Sequence, residues 1–401
     1  MNILYIHQYF RTPHEAGGTR SYWICQELIK NGHKVTMLAT SKTVKKNIEK
    51  INVDGIDVIY LKVHYSQMMS VFRRLLSFVN FMVKSTLIAL KENRVDLVIS
   101  TSTPLTVGFP ALVLKKLKKI PFVFEVRDLW PEVPIQMGGL KNKISIKLAL
   151  WFEKSIYNNA THIITLSPGM QDGVIARNIP KDKTSMIPNM SKIEEFWERE
   201  KSEKVYKELD ISKDTFKAVY FGSMGIANGM DYILDAAKLI SKEEKIEFIF
   251  LGDGSTRSHL ENRCKIENIK NVRFLGNFPM AKLSETINLC DVSLVTFLNL
   301  PILATNSPNK LFDSLSAGKS IIVNSAGWTK EMVENHKCGY YVDPESPKKL
   351  TEIIRYLKNN PELNKELGRN SRKLAETVYD KSILCMEFVN VVHSLDLKRK
   401  V

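Results

Sequence analysis

The sequence is short of acid, and short of anything that would lock it covalently or onto a metal. It carries 43 Asp and Glu against 58 Lys and Arg, a formal net charge of +15 over 401 residues. An excess of that size suits a phosphorylated substrate, an anionic lipid surface or a nucleic acid, and no nucleic-acid module signature favours the last. The five cysteines, at 25, 264, 290, 338 and 385, are odd in number and lack metal-like spacing. They predict reduced thiols, with no disulfide and no zinc. No D-x-D triplet occurs, so no metal is expected. The N-terminus, MNILYIHQYFRT, has neither a basic n-region nor a cleavage site and reads as a strand. No apolar run is long enough to span a bilayer, because the longest, Met68 to Leu90, is interrupted by Asn80 and Lys84. Repeats and low-complexity segments are absent as well.

What is present is a twofold alternation of strand and helix signals. A chain this long exceeds the usual single core, so two domains are expected, each an α/β doubly wound sheet. In the first half, strands are predicted at Ile3 to Ile6, Lys34 to Ala39, Ile56 to Tyr60, Leu97 to Ser100, Phe122 to Val126, His162 to Leu166 and Ser185 to Ile187. Pro188-Asn189 and a polar, acidic stretch mark the boundary. The pattern restarts with Ala218 to Phe221, Phe248 to Leu251 and Val272 to Leu275, and it closes with helices from Pro347 onward. The expected domains are 1–190 and 191–380, with 381–401 a helix that can cross back to the first.

The second half is organised around Asp291 to Asn324, which reads as strand, loop, short helix and strand. Ser307 is placed to cap a helix beginning at Pro308, and Gly318 to end it. Leu311, Phe312 and Leu315 then face the core, leaving Asn309, Lys310 and Asp313 on or near an exposed face beyond a strand's carboxyl end. Free N–H groups with the Lys310 ammonium suit a phosphate, and the Asp313 carboxylate suits two sugar hydroxyls. A capped helix with merely solvated polar residues is the competing reading. Glycine turns at Gly17-Gly18, at Gly222 to Gly229 and at Gly252 to Gly254 follow predicted strands, where backbone can approach a diphosphate. Singly, each is more often just a turn. Another polar cluster, EVRDLWPE, sets Arg127, Asp128 and Glu132 on a loop stiffened by Trp130 and Pro131.

The segment from Met68 to Leu90 is also basic. It can lie in a membrane interface with Val71, Leu75, Phe78 and Met82 on one stripe, Phe72 beside them, and Arg73, Arg74 and Lys84 at lipid phosphates. A buried core helix is the alternative.

Over nearly its whole length the chain resembles the GT-B glycosyltransferases of family 4. The resemblance is carried by HQYF and AGGTR at 7–20, NGHKVTMLAT at 31–40, VRDLWPE, the strand ending in Gly252-Asp253-Gly254, and SPNKLFDSLSAGK at 307–319. Within the family it is most similar to bacterial polysaccharide-assembly transferases, particularly those handling N-acetyl-L-fucosamine in capsule and O-antigen synthesis. The resemblance implies two Rossmann-like domains facing a central cleft, with acceptor on the first and UDP-sugar on the second. It implies transfer to an undecaprenyl-diphosphate-linked sugar at the cytoplasmic face of the membrane, with retention and no cofactor. Asp313 ends the family's E-x7-E motif, whose first Glu is Thr305 here, and no Arg or Lys stands in Ser223 to Asn228, where a basic pair usually grips the diphosphate. Lys310 is then the substitute, aided by Gly18 and Arg257, and Arg127-Asp128 stands where many relatives place a His next to an Asp. The implied catalytic residues are Asp128, Arg127 and Lys310. The implied donor residues are Gly17, Gly18, Ser223, Gly252, Asp253, Arg257, Thr305, Asn309, Lys310 and Asp313, and the acceptor residues His14, Arg20 and Glu132. A GT-B UDP-sugar epimerase and a non-catalytic peripheral membrane protein are the alternatives.

Overall fold

The computed structural model describes residues 1–15, 17–41, 44–65 and 69–400. Met68, the first residue of the apolar segment, lies outside them. Contacts divide the chain into two units: Met1–Thr12 with Gly18–Pro188 and Ser382–Val401, and Pro13–Gly17 with Asn189–Lys381.

The first unit is built on eight strands: β1 (Asn2–Ile6), β2 (Lys34–Thr40), β3 (Ile48–Val53), β4 (Ile56–Leu61), β5 (Leu97–Thr101), β6 (Phe122–Val126), β7 (His162–Thr165) and β8 (Thr184–Met186). Their order is β3-β4-β2-β1-β5-β6-β7-β8, parallel throughout except where β3 runs antiparallel to β4. The central strands are apolar on both faces because helices cover both, as in β5 and β6, where every residue is buried. Edge strand β3 went unforeseen, since IEKINV is half polar and leaves Ile48 and Ile51 exposed. Its signal was Asp54-Gly55, both at positive φ (49° and 89°), a two-residue hairpin turn of the type that fits sheet twist. The last helix, Lys381–Lys400, belongs from Ser382 onward to this unit, burying Leu384, Phe388 and Val392 and setting His393 Nε2 3.0 Å from His33 Nε2.

The second unit holds β9 (Phe216–Phe221), β10 (Ile246–Leu251), β11 (Val272–Gly276), β12 (Val292–Val295), β13 (Ser320–Val323) and β14 (Gly339–Tyr341), in the all-parallel order β11-β10-β9-β12-β13-β14. β14 is three residues long and also escaped the sequence reading. Tyr220, Phe248, Phe250 and Leu294 fill the core on one face of this sheet, and Val219, Phe221, Ile249 and Leu251 fill it on the other. Each such side chain contributes about 1.5–3 kcal/mol of burial, which fixes where the strands end and so where the turns beyond them stand.

In each unit the strand order reverses beside the first strand, between β1 and β5 and between β9 and β12. Ligands of open α/β sheets bind at such points, outside the strands' carboxyl ends.

Candidate active site

In the second unit, three chain segments meet at the reversal. Gly222 follows β9 at φ 114°, and Gly252 follows β10 at φ 133°. A Cβ on Gly252 would stand 1.9 Å from the Gly222 carbonyl oxygen, and one on Gly254 would stand 2.4 Å from that of Met224. The two turns therefore interlock as bare backbone, with the Met224 N–H donating to the Asp253 carbonyl at 2.9 Å. Ser223 and Asp253 lie exposed on their crests.

Beneath Gly222 comes Lys310, from the helix Asn309–Ser316. Its Nζ donates to the Tyr220 hydroxyl (2.5 Å) and to Asn228 Oδ1 (3.1 Å), and it sits 3.8 Å from the centroid of the Tyr220 ring. Tyr220 donates in turn to the Ser223 carbonyl at 2.6 Å. All these partners are neutral, and among the described residues no carboxylate pairs with Lys310. Burial without a counter-ion pulls the lysine pKa down to about 7. Tyr220 and Asn228, which hold this ammonium, were missed by the sequence reading, and nothing local in the sequence marks them.

The rest of that helix differs from expectation. Its N-cap is Pro308, with no side-chain cap, because the Ser307 hydroxyl accepts from the Asn189 N–H (3.1 Å) instead. Gly318 does end it, at φ 61°. Asp313 is not on an exposed face: it is 7% exposed, with Lys192 Nζ 3.0 Å from Oδ1. Burial raises its pKa and Lys192 opposes the rise. Thr305 donates to the Ile302 carbonyl (2.7 Å), and Asn309 is half-buried at the helix start. Arg257 is engaged by Glu261 at 2.8 Å, one turn on, and its Nη1 would lie 3.5 Å from a Cβ on Gly276.

In the first unit, polar side chains gather beyond β1, β5 and β6. His7 is buried, with Nδ1 2.7 Å from the Ser21 hydroxyl and Nε2 3.4 Å from Arg127 Nη1. Burial, then Arg127 and Arg11, hold it well below the usual histidine range, so it is neutral, with Nε2 the acceptor. Asp128 Oδ2 accepts from the Thr103 hydroxyl at 2.8 Å, and burial raises this carboxyl's pKa. Arg127 and Asp128 are joined here by His7 and Thr103, which are not among the expected site residues. A histidine directly after an apolar strand was the available signal for His7.

The proposed acceptor set is dispersed. Arg20 is withdrawn from it: only 2% exposed, its guanidinium donates to Glu125 Oε1 (2.8 Å) and to the Pro188 and Ile187 carbonyls. It ties β6 to the end of the unit. Glu132 is half-buried, taking Gln136 at 2.9 Å and Arg177 at 3.7 Å, while His14 is exposed. Gly17 is exposed at φ 134° and Gly18 half-buried.

Two family descriptions fit these two halves. Residues 16–190 match the glycosyl transferase 4-like domain, and residues 201–374 match the glycosyl transferases group 1. Together the two matches span most of the chain, which is a glycosyltransferase. It is 24% identical to glycosyltransferase WbjE of Pseudomonas aeruginosa over 78% of each chain. It is also 24% identical to alpha-galactosylglucosyldiacylglycerol synthase of Streptococcus pneumoniae, over 62% of this chain and 65% of that one. Among solved structures it shares the fold of sucrose-phosphate synthase from Thermosynechococcus elongatus (TM-score 0.77, 16% identity, 99% of each chain). Anabaena Alr3699/HepE, solved with UDP-glucose, superposes with a TM-score of 0.75 at 16% identity, over 98% of this chain and all of that one. The fold is therefore GT-B, and the glycosyltransferase carries its family's second domain around Lys310 and the glycine turns.

Proposed function

We propose that this glycosyltransferase moves a sugar from a UDP-sugar to a polyprenyl-diphosphate-linked sugar at the cytoplasmic face of a bacterial membrane, in capsule or O-antigen synthesis. The observation that carries the reading is Lys310, a half-buried lysine whose described partners are all neutral, set beneath a glycine turn at the sheet's reversal. A diphosphate is the ligand whose charge such a site suits. UDP is favoured over other nucleotides by the UDP-glucose held by the structural neighbour HepE, and a lipid acceptor by the pneumococcal relative, named for a glycolipid product.

In this reading the diphosphate lies over Gly222 and Ser223, facing Lys310 and the Gly252-Asp253 turn. Asp313, with Lys192, takes the ribose hydroxyls, while Thr305 and Asn309 face the sugar. The bond from the anomeric carbon to the β-phosphate oxygen breaks, and the acceptor hydroxyl oxygen bonds that carbon on the same face. The hydroxyl's proton leaves with the departing phosphate oxygen, so configuration is retained and no metal takes part. Lys310 stabilises the charge that builds on the diphosphate. Asp128, oriented by Thr103, positions the acceptor or supports the positive charge at the anomeric carbon, and burial together with Arg127 holds His7 neutral in the same unit. N-acetyl-L-fucosamine is the proposed sugar.

The test is mass spectrometry of products after incubation with a panel of UDP-sugars and short polyprenyl-diphosphate sugars, in EDTA. Transfer of one UDP-sugar to a lipid-linked acceptor is expected. Transfer only from another nucleotide, only to a free sugar, or only after added Mg²⁺ would each remove a named part of the reading.

A further inference from the structure

Three helices of the first unit lie side by side: Val71–Lys91, Gly108–Lys118 and Lys143–Asn159. Lys118 Nζ donates to the Leu90 carbonyl at 2.6 Å, binding the first pair. The Phe109 and Phe152 rings, 6.3 Å apart, bind the second, and Gly108 lets Ile156 come so close that a Cβ there would stand 2.6 Å from it. Among the described residues, no helix is long and apolar enough to cross a membrane.

The outer side of this layer is apolar where a soluble surface would be polar. On Val71–Lys91 the exposed stripe is Phe72 (68%), Leu75, Leu76, Val79, Val83 and Leu87. This corrects the stripe expected from sequence: Phe78 turns inward to stack on Tyr65 (5.7 Å), and Met82 is half-buried. Lys84 donates to the Lys62 carbonyl at 2.8 Å, so it is a poorer lipid contact than Arg73. The stripe does not stop at this helix. Leu117 is 69% exposed, and Lys143–Asn159 adds Ile144 (69%), Leu148 (61%) and Trp151 (67%), three and four residues apart on one face. Exposed apolar side chains on three neighbouring helices mark a candidate interaction surface.

Charge selects the occupant. The three helices carry ten Lys and Arg, and their single acidic residue, Glu153, is buried against Arg177 at 3.0 Å. A second copy of the chain, meeting this face by twofold symmetry, would bring like charges together. An anionic bilayer instead accepts the apolar stripe between its head groups and the cations at its phosphates, with an exposed tryptophan at the depth where indoles concentrate.

We infer that Lys143–Asn159 joins Val71–Lys91 in one membrane-docking face for anionic lipid, with Trp151 as its second anchor. The inference extends the membrane part of the proposed function and is independent of the transfer chemistry. It is tested by sedimentation of the full chain with phosphatidylglycerol–phosphatidylcholine vesicles, without any sugar donor. Leu148→Glu with Trp151→Glu should weaken binding at least tenfold, as should Phe72→Glu with Leu75→Glu, while melting temperature and transfer to a short soluble acceptor stay unchanged. Brominated-chain lipids should quench tryptophan fluorescence, with much of that quenching lost in Trp151→Phe. Wild-type affinity in the Leu148/Trp151 variant, equal binding to neutral vesicles, or a dimer dispersed by either variant would overturn the inference. Loss of soluble transfer with docking intact would count against the function and leave the docking face standing.

Discussion

Arg20, buried, and Lys310, half-buried, are cations beside strands that bound a sheet's reversal, and they are held in opposite ways. Arg20 has a carboxylate at 2.8 Å and two backbone carbonyls, so its charge and donors are satisfied within the fold. Lys310 has a phenol, an amide and an aromatic face, which accept its hydrogens without cancelling its charge. The first arrangement stabilises a structure that is already complete. The second leaves positive charge disfavoured until an anion arrives, the condition for ligand binding or for stabilising a leaving group. From sequence, both read as ligand-facing residues, Arg20 toward the acceptor and Lys310 toward the diphosphate.

Substitution should separate them most strongly in stability. Arg20→Ala strands the buried Glu125 carboxylate and is expected to cost about 3–5 kcal/mol, seen as a lower midpoint in denaturant unfolding. Lys310→Met removes a charge with no counter-ion and should leave the midpoint unchanged or raise it. Comparable losses from both would erase the distinction.

In turnover the order should invert. Lys310→Ala is expected to lower kcat by roughly 10²–10³, the range for removing one donor that faces developing negative charge, with a smaller change in UDP affinity. Equal losses in both would make Lys310 a ground-state binder only. Asp313→Asn keeps the side chain's shape beside Lys192 while reducing its charge, and should weaken UDP binding by about 1–3 kcal/mol in calorimetry. An unchanged affinity would confine the Asp313–Lys192 pair to the fold.

These contrasts show what the sequence could and could not disclose. The two doubly wound sheets were legible because buried parallel strands are continuous apolar runs, and FEV-type or VSLV-type segments have few other uses. β3 and β14 were not, being an edge strand with half its residues polar and a three-residue strand. In the candidate site, Lys310 was legible from its place after a strand and a proline. Its partners Tyr220 and Asn228 lie 90 and 82 residues away, at separations no local pattern reports. Arg20 and Asp313 were misjudged for the same reason. Whether a charged side chain is free depends on a distant partner, here Glu125 and Lys192, that only the folded chain supplies.

The finest test of the comparison is pH. Burial brings Lys310 from the ordinary 10.5 down to about 7. Because the folded value lies below the unfolded one, its burial costs no stability above about pH 10.5. The cost grows as the unfolded chain takes up the proton, and it is complete below about 7. A bound diphosphate favours the ammonium and raises the pKa again. The diphosphate of an intact UDP-sugar has no group titrating near neutrality, so any proton taken up on binding belongs to the protein. Above about pH 7, wild-type binding should therefore take up a proton, read by calorimetry in buffers of different ionisation enthalpy, and Kd should rise by up to tenfold per pH unit toward 9. Lys310→Arg, charged throughout, should bind with a flat profile over the same range. If the two profiles coincide, another group titrates at the diphosphate and Lys310 is already charged before the ligand arrives.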